Sequence, residues 1–146
     1  MKPASSLLAL LACADALALA PWSAHATGVA ASCRAASDTS ALQRYGLWQA
    51  RFDDGTTATL RLERHPEFAQ SLSGSIARAD ARARLAGDMD QGRLGLEESR
   101  DGRGISAVWN GSVVEDSCGR EIRGQWHDSA RGSSREFVLR KTPGWQ

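Results

Sequence analysis

The sequence is poor in the residues that usually carry catalysis and metal binding. It holds three histidines and three cysteines in 146 residues, and it has no Gly-x-Ser-x-Gly segment of the kind that presents a hydrolase nucleophile. No histidine and cysteine pairs have the spacing of a zinc site. The acidic stretch 88–92 begins like a calcium loop, but Ser99 stands where the closing glutamate would be. We therefore expect no enzyme activity, no metal and no cofactor.

Neither sign of charge dominates the chain. Lysine and arginine total 18 and aspartate and glutamate total 17, which gives a formal net charge of +1. The arginines are interleaved with acidic residues, as on a mixed solvated surface. This balance does not predict a nucleic-acid partner. The longest apolar run, residues 7–20, is short and interrupted by Asp15, so it does not predict a membrane span.

That apolar run is instead typical of an export leader. Lys2 precedes it, Pro21 ends it, and residues 24–26 (AHA) form a small-residue cleavage site. We expect residues 1–26 to be a signal peptide and the mature protein to be periplasmic or secreted. A competing interpretation is that residues 10–13 (LLAC) form a lipobox, which would make the protein an outer-membrane lipoprotein anchored through Cys13.

Cleavage after residue 26 would leave two cysteines, Cys33 and Cys118. Export to an oxidising compartment favours a disulfide between them. The bond would tie the small and polar segment 27–44 to the rest of the chain and stabilise the fold by about 4 kcal/mol. Metal ligation by the two thiols is the weaker alternative, because no further ligands complete a site.

From residue 45 onward the hydrophobic pattern has a period of two. Short alternating segments are separated by turn-forming residues such as 53–55 (DDG) and 90–92 (DQG). No amphipathic helical window interrupts them. Regular short strands of this kind predict an all-β fold, a single antiparallel up-and-down β-barrel of about eight strands over residues 45–142. The predicted inward residues are Trp48, Ala50, Phe52, Ala58, Leu60, Leu62, Leu72, Ile76, Ala83, Leu85, Met89, Leu94, Leu96, Ile105, Ala107, Trp109, Val113, Ile122, Trp126, Phe137 and Leu139.

Four glycines, Gly74, Gly87, Gly111 and Gly124, fall on the predicted inward face between apolar residues. Glycine inside a strand costs stability, so each position needs a reason. The strands could coil tightly there, a large side chain could need the space, or a ligand could approach the wall. Residues 110–111 (NG) could also form a hairpin turn, but the phase of Val113 favours a continuous strand.

Glu98 is the most distinctive polar residue of the pattern. It falls in phase with Leu94 and Leu96, so we expect it to face inward. A buried carboxylate needs a partner, and Arg51 is a candidate. The residue would then be either half of an ion pair at the barrel rim or a polar anchor for a ligand in the barrel mouth.

Three tryptophans, Trp48, Trp109 and Trp126, also fall on the inward face. With the inward phenylalanines they could fill a small barrel completely, or they could line an aromatic pocket at one mouth. The candidate ligand-binding residues are therefore Trp48, Glu98, Trp109 and Trp126.

The chain resembles the calycin group, which includes the lipocalins and the avidins. The likeness is carried by the G-x-W segment Gly46-Leu47-Trp48 at the start of the first strand and, loosely, by residues 108–111 (VWNG) followed by 122–126. It implies a barrel whose mouth binds small apolar or amphipathic molecules, with Gly46 and Trp48 in structural roles. The polar residues of an avidin biotin pocket have no counterparts here, so biotin binding is not expected.

These observations favour an exported, non-enzymatic binding protein that takes a small apolar or amphipathic ligand at the barrel mouth. The alternative is a protein-binding module of the cell envelope, such as a hydrolase inhibitor. A cavity inside the barrel and the polar groups around it would distinguish the two.

Overall fold

The chain forms a closed eight-stranded antiparallel barrel, as the alternating pattern predicts. The structure, a computed structural model, describes residues 33–38 and 41–144, except for the side chains of Ala41 and Leu42. The predicted leader, including Cys13, lies outside the described residues. A 3₁₀ turn at Ala36–Asp38 and the short helix α1 (Ala41–Arg44) precede β1 (Gly46–Phe52), β2 (Thr57–Arg64), β3 (Ser71–Ala77), β4 (Arg82–Asp90), β5 (Arg93–Ser99), β6 (Ala107–Val113), β7 (Glu121–Asp128) and β8 (Ser133–Lys141). Each strand pairs with the next, and β8 pairs with β1, so no strand edge is left unpaired.

The barrel interior is filled by apolar side chains from all eight strands. Because side chains alternate across a strand, the inward face can be predicted from the period of two, and every predicted inward residue but one is buried. The exception is Ile105, which is 52% exposed. The ladder between β5 and β6 resumes only at Ser106, whose backbone N–H donates to the carbonyl of Glu98 at 2.7 Å. Ile105 therefore lies in the preceding loop and outside the core.

The two ends of the barrel differ in how they are covered. Residues 33–38 and 41–44 lie at one end, which we call the disulfide end, because the predicted bond between Cys33 and Cys118 is present there. Hydrogen bonds add to this disulfide in holding the N-terminal residues to the barrel. The Gln43 side-chain amide donates to the Cys118 carbonyl at 3.2 Å, and the Lys141 ammonium donates to the Gln43 carbonyl at 2.8 Å. Loops 53–56, 78–81, 100–106 and 129–132 form the other end, which we call the mouth.

The inward glycines are explained by the protein's own atoms. A Cβ on Gly74, Gly87 or Gly124 would overlap the backbone of the neighbouring strand. A Cβ on Gly111 would lie 2.9 Å from Cγ2 of Ile122 and 3.0 Å from Cζ of Phe137. Tight coiling explains the first three positions and space for a large side chain explains the fourth, so no ligand is needed at any of them. Gly111 lies within β6, which confirms the continuous strand over the hairpin turn.

Candidate ligand site at the barrel mouth

Glu98 faces the barrel interior near the mouth, as its phase predicts, and its side chain is fully buried. Its partner is Arg78, which directly follows β3. The guanidinium donates Nη1 to Oε1 at 2.7 Å and Nη2 to Oε2 at 2.9 Å. This bidentate geometry is the strongest form of arginine–carboxylate contact. The prediction of Arg51 as the partner is wrong. Ala50 and Phe52 face inward, so Arg51 between them points outward into solvent.

Two tryptophans complete the surroundings of this carboxylate. The indole N–H groups of Trp109 and Trp126 each donate to Oε2 of Glu98 at 3.2 Å. The two residues are direct cross-strand partners on β6 and β7, so the register brings both rings to the same height in the barrel. The buried indole N–H groups and the buried carboxylate thereby satisfy one another.

A second buried carboxylate extends the network to the rim. Asp128 is fully buried and ends β7. Its Oδ2 accepts from Nη2 of Arg100 at 2.9 Å, and its Oδ1 accepts from the backbone N–H groups of Ala130 and Arg131 at 3.0 Å each. Nε of Arg100 also lies 3.8 Å from Oε1 of Glu98. Two guanidinium groups thus face two carboxylates, and the network is close to neutral.

Sequence reasoning did not single out Asp128. One signal was present. Asp128 is two residues beyond Trp126, so it continues the inward phase of that strand by one step. A charged residue at the end of a strand does not by itself show that the strand continues. Arg78 was not singled out either, because its contact with Glu98 spans 20 residues, which the pattern of one strand does not reveal.

The environment keeps both buried carboxylates ionised. Burial raises the pKa of Glu98, but the hydrogen bonds and charge of Arg78 and the two indole donors outweigh it, so the pKa lies below its ordinary value. Burial also raises the pKa of Asp128, and Arg100 with the backbone donors reverses this effect in the same way. Both groups therefore carry a full negative charge at neutral pH.

An aromatic cluster fills the barrel below the mouth. The ring centroids of Phe52 lie 5.5 Å from Trp109 and 5.7 Å from Trp126, and Trp109 lies 4.9 Å from Phe137. Tilted and edge-on arrangements at these separations are favourable. The exposed fractions of Phe52 and Trp126 are 5% and 6%, and that of Trp109 is zero. The cluster is therefore a packed core whose upper surface just reaches the mouth.

The side of the aromatic cluster that faces the mouth forms the floor of a depression of about 370 Å³. Phe52 and Trp126 supply its apolar part, and two arginines flank the indole ring of Trp126, with Cζ of Arg78 at 5.6 Å and Cζ of Arg135 at 5.9 Å from its centroid. Arg135 is paired with Asp54 at 2.5 Å across the rim. The depression thus combines an aromatic floor with guanidinium walls whose charges are already balanced.

Of the four candidate ligand-binding residues, the structure brings three together, namely Glu98, Trp109 and Trp126. Trp48 lies toward the disulfide end, because β1 starts there. It is fully buried, and its indole N–H donates to the Arg44 carbonyl at 3.1 Å. The group at the mouth therefore does not include Trp48.

Within residues 33–38 and 41–144, no group of three or more histidine, cysteine, aspartate or glutamate side chains could hold a metal ion. The two histidines of this part make local contacts. Nδ1 of His65 accepts from the backbone of Glu67 and Phe68 at 3.2 Å each, and Nδ1 of His127 lies 2.9 Å from the Ser134 hydroxyl. No helix among the described residues has the length and apolar character needed to cross a membrane.

No known family profile matches the sequence, and no curated protein is significantly similar to it. Two similar solved structures are barrels of low sequence identity. A redesigned beta barrel is 18% identical, with a TM-score of 0.45, over 75% of this chain and 96% of that one. The protein EF1p2_mFAP2b bound to DFHBI is 13% identical, with a TM-score of 0.44, over 73% of this chain and 99% of that one. No match identifies the calycin group, so of that expectation the eight-stranded antiparallel barrel alone is established.

Proposed function

We propose that this is an exported, non-enzymatic binding protein that takes a small apolar or amphipathic ligand at the barrel mouth. The observation that carries the proposal is the depression of about 370 Å³ floored by Phe52 and Trp126. Its volume falls in the range of about 300–1,000 Å³ that is usual for small-molecule sites. A few polar groups converge on an aromatic floor there, which is the usual composition of such sites.

The chemistry of the walls favours a ligand without a strong net charge. Arg78 is neutralised by Glu98 and Arg135 by Asp54. A flat apolar ring or short apolar chain would pack on the aromatic floor, and polar atoms of the ligand would meet the guanidinium edges. Because the barrel interior is packed, the ligand would lie in the mouth and not inside the barrel.

Arg135 is the side chain that would give way to a ligand. Its pair with Asp54 is about one-third exposed on both sides, and surface pairs of this kind contribute only about 0–1 kcal/mol. Displacing it would expose more of the Trp126 ring at little cost. Glu98 and Arg78, which are held by several buried contacts, would stay in place and orient the floor.

Tryptophan fluorescence during titration with a panel of apolar and amphipathic aromatic compounds tests the proposal. At least one compound should give a saturable shift, and Arg135→Gln should change its affinity several-fold. Arg140→Gln is the matched control, since Arg140 is an ion-paired arginine on the same strand at the disulfide end. A panel without any saturable shift would refute the proposal. If Glu98→Gln greatly lowers the melting temperature but binding by the remaining folded protein is unchanged, Glu98 has no role as a ligand anchor.

A second candidate is a protein-binding module of the cell envelope, such as a hydrolase inhibitor. The observation that favours it is the exposed Ile105, whose loop borders the mouth. A pull-down from an envelope extract should then recover a hydrolase that the purified protein inhibits, and Ile105→Ser should weaken both effects. An extract that yields no such enzyme would count against this candidate.

The proposed function also includes export from the cytoplasm. A disulfide is typical of proteins outside the reducing cytoplasm, and the bond between Cys33 and Cys118 therefore supports a non-cytoplasmic compartment. We propose residues 1–26 as the signal peptide, a periplasmic or secreted mature protein, and a calycin-like barrel. Mass spectrometry of the mature N-terminus should find residue 27 first. An acylated Cys13 would establish the lipoprotein alternative instead.

A further inference from the structure

A depression of about 490 Å³ on the outer wall of the barrel, next to the mouth, is surrounded by arginines. Arg82, Arg84, Arg100 and Arg103 line it, and Asp101 is the one acidic residue among its lining residues. We propose that this depression is a binding site for a phosphate or sulfate group, separate from the ligand site in the mouth.

The strand register determines which side chains form the floor of this site. Arg84 on β4 is the cross-strand partner of Ser75 on β3 and of Ser99 on β5, so the three side chains face outward in one row. Arg82 lies two residues earlier on β4 and shares that face. The row therefore places one serine hydroxyl group on each side of the Arg84 guanidinium, and the Arg82 guanidinium lies on the same face.

The loop between β5 and β6 supplies the wall. Oδ1 of Asp101 accepts from the backbone N–H groups of Arg103 at 2.8 Å and Gly104 at 2.9 Å, and the Ser99 hydroxyl donates to it at 3.3 Å. Gly102 has φ +73, and a Cβ there would be 3.7 Å from Nη1 of Arg84. The loop is thus folded against the Arg84 guanidinium, and Arg103 borders the same depression.

The charges in this site are unbalanced, unlike those in the mouth. Arg100 is paired with Asp128. In the part of the chain that the structure describes, the guanidinium groups of Arg82, Arg84 and Arg103 form no ion pair. Three guanidinium charges less the Asp101 carboxylate leave a local charge of +2, whereas the whole chain carries +1. Like charges gathered in one depression repel one another, and a bound anion relieves that repulsion.

The groups around the depression suit an oxyanion such as phosphate or sulfate. Guanidinium forks match phosphate oxygens in bidentate fashion, and the Ser75 hydroxyl adds a further donor. A wider groove of about 630 Å³ continues from the site along the outer wall and shares Arg84 and Arg103 with it. The exposed Ile105 borders this groove. The group bound at the arginines could therefore be a free anion or the head of a larger molecule whose remainder follows the groove.

Nuclear magnetic resonance of the ¹⁵N-labelled protein tests the site through the arginine side-chain signals. One arm titrates inorganic phosphate and sulfate, and the other adds vesicles of phosphatidylglycerol, with phosphatidylcholine vesicles for comparison. We expect saturable shifts at Arg84 and Arg103 in at least one arm. Each of Arg84→Gln and Arg103→Gln should weaken that binding about tenfold, because each removes a charged hydrogen-bond donor. Arg51→Gln, an exposed arginine on the outer face of β1, is the matched control and should bind like the unchanged protein.

Saturation by inorganic anions would identify a free oxyanion as the ligand, and saturation only by phosphatidylglycerol vesicles would identify a lipid headgroup. Both results support the site if they depend on Arg84 and Arg103. The absence of saturable binding in both arms would overturn the proposal. So would an equal loss in the Arg51→Gln control, which would indicate general attraction to arginines. All three substitutions are at exposed positions, and circular dichroism would verify that each variant folds.

Discussion

At the scale of single residues, Glu98 organises the mouth. A carboxylate inside an apolar barrel would be costly to bury alone, yet this one receives two bonds from Arg78 and one from each of two indoles. Its neighbour Glu97 has the same side chain but points outward from the same strand. The pair therefore offers a direct comparison of a buried and an exposed glutamate at adjacent positions.

We expect Glu98→Gln to lower the free energy of unfolding by about 2–4 kcal/mol, because Arg78 would keep its charge without a counter-charge in a largely buried position. Glu97→Gln should change it by less than about 0.5 kcal/mol. Urea denaturation of both variants measures the difference. Equal effects of the two substitutions would show that the buried network does not stabilise the fold.

Acid should destabilise the protein through the same groups. The pKa values of Glu98 and Asp128 are lowered in the folded protein, so their stabilisation is complete above the unfolded values, near pH 4, and is lost as the pH falls through the folded values. We expect the free energy of unfolding to be nearly flat from about pH 7 to 5 with respect to these groups and to fall steeply below about pH 4. Denaturation curves at a series of pH values measure this. Glu98→Gln should show a shallower acid limb, and an unchanged limb would contradict the assignment.

At the scale of the strands, the glycines set how tightly the barrel coils. Gly124 on β7 comes so close to β6 that a Cβ would overlap the backbone of Asn110 and Gly111. Gly95 also lies within a strand, but a Cβ there would meet nothing closer than 3.9 Å. The loss of stability caused by a side chain at a mid-strand glycine therefore depends mainly on how closely the neighbouring strand approaches that position.

We expect Gly124→Ala to destabilise the barrel by about 2 kcal/mol or more, because the added methyl group would push two strand backbones apart. Gly95→Ala should be neutral or stabilising by up to about 1 kcal/mol, since alanine restricts the unfolded chain more than glycine does. Thermal unfolding followed by circular dichroism compares the two variants. A stable Gly124→Ala protein would show that the strands can separate there without loss.

At the scale of the whole molecule, the two ends of the barrel differ in structure. The N-terminal segment covers the disulfide end, where Cys33 and Cys118 join residues 85 apart in the chain. Among residues 33–38 and 41–144, no segment covers the mouth, which carries the buried ion network, the aromatic floor and, around its outer edge, the unpaired arginines. The covalent tether and the exposed depressions thus lie at opposite ends of the barrel.

Removal of the disulfide should lower the free energy of unfolding by about 4 kcal/mol, because the bond closes a long loop in the unfolded chain. Denaturation with and without a reducing agent measures this loss. The double variant Cys33→Ser with Cys118→Ser should show the lower stability in both conditions. Equal stability of the unchanged protein with and without reductant would contradict the prediction, provided that thiol titration confirms reduction of the bond.

The sequence by itself determined the barrel and its inner face. A period of two appears in every strand because side chains alternate, so Trp109, Trp126 and Glu98 could be placed inward without coordinates. The cysteine pair followed from the predicted compartment and the cysteine count. Ile105 was placed wrongly because periodicity does not mark where a ladder resumes.

Only the tertiary structure decided which residues meet. Arg78 reaches Glu98 from the loop after β3, and Asp128 reaches Arg100 across 28 residues. Pairings of this kind depend on register and loop path, which the alternation of one strand does not contain. The glycines were ambiguous for the same reason, since the atoms that fill their space belong to neighbouring strands. The filled interior, the shallow aromatic floor of the mouth and the arginines on its outer edge are consequences of closing the sheet.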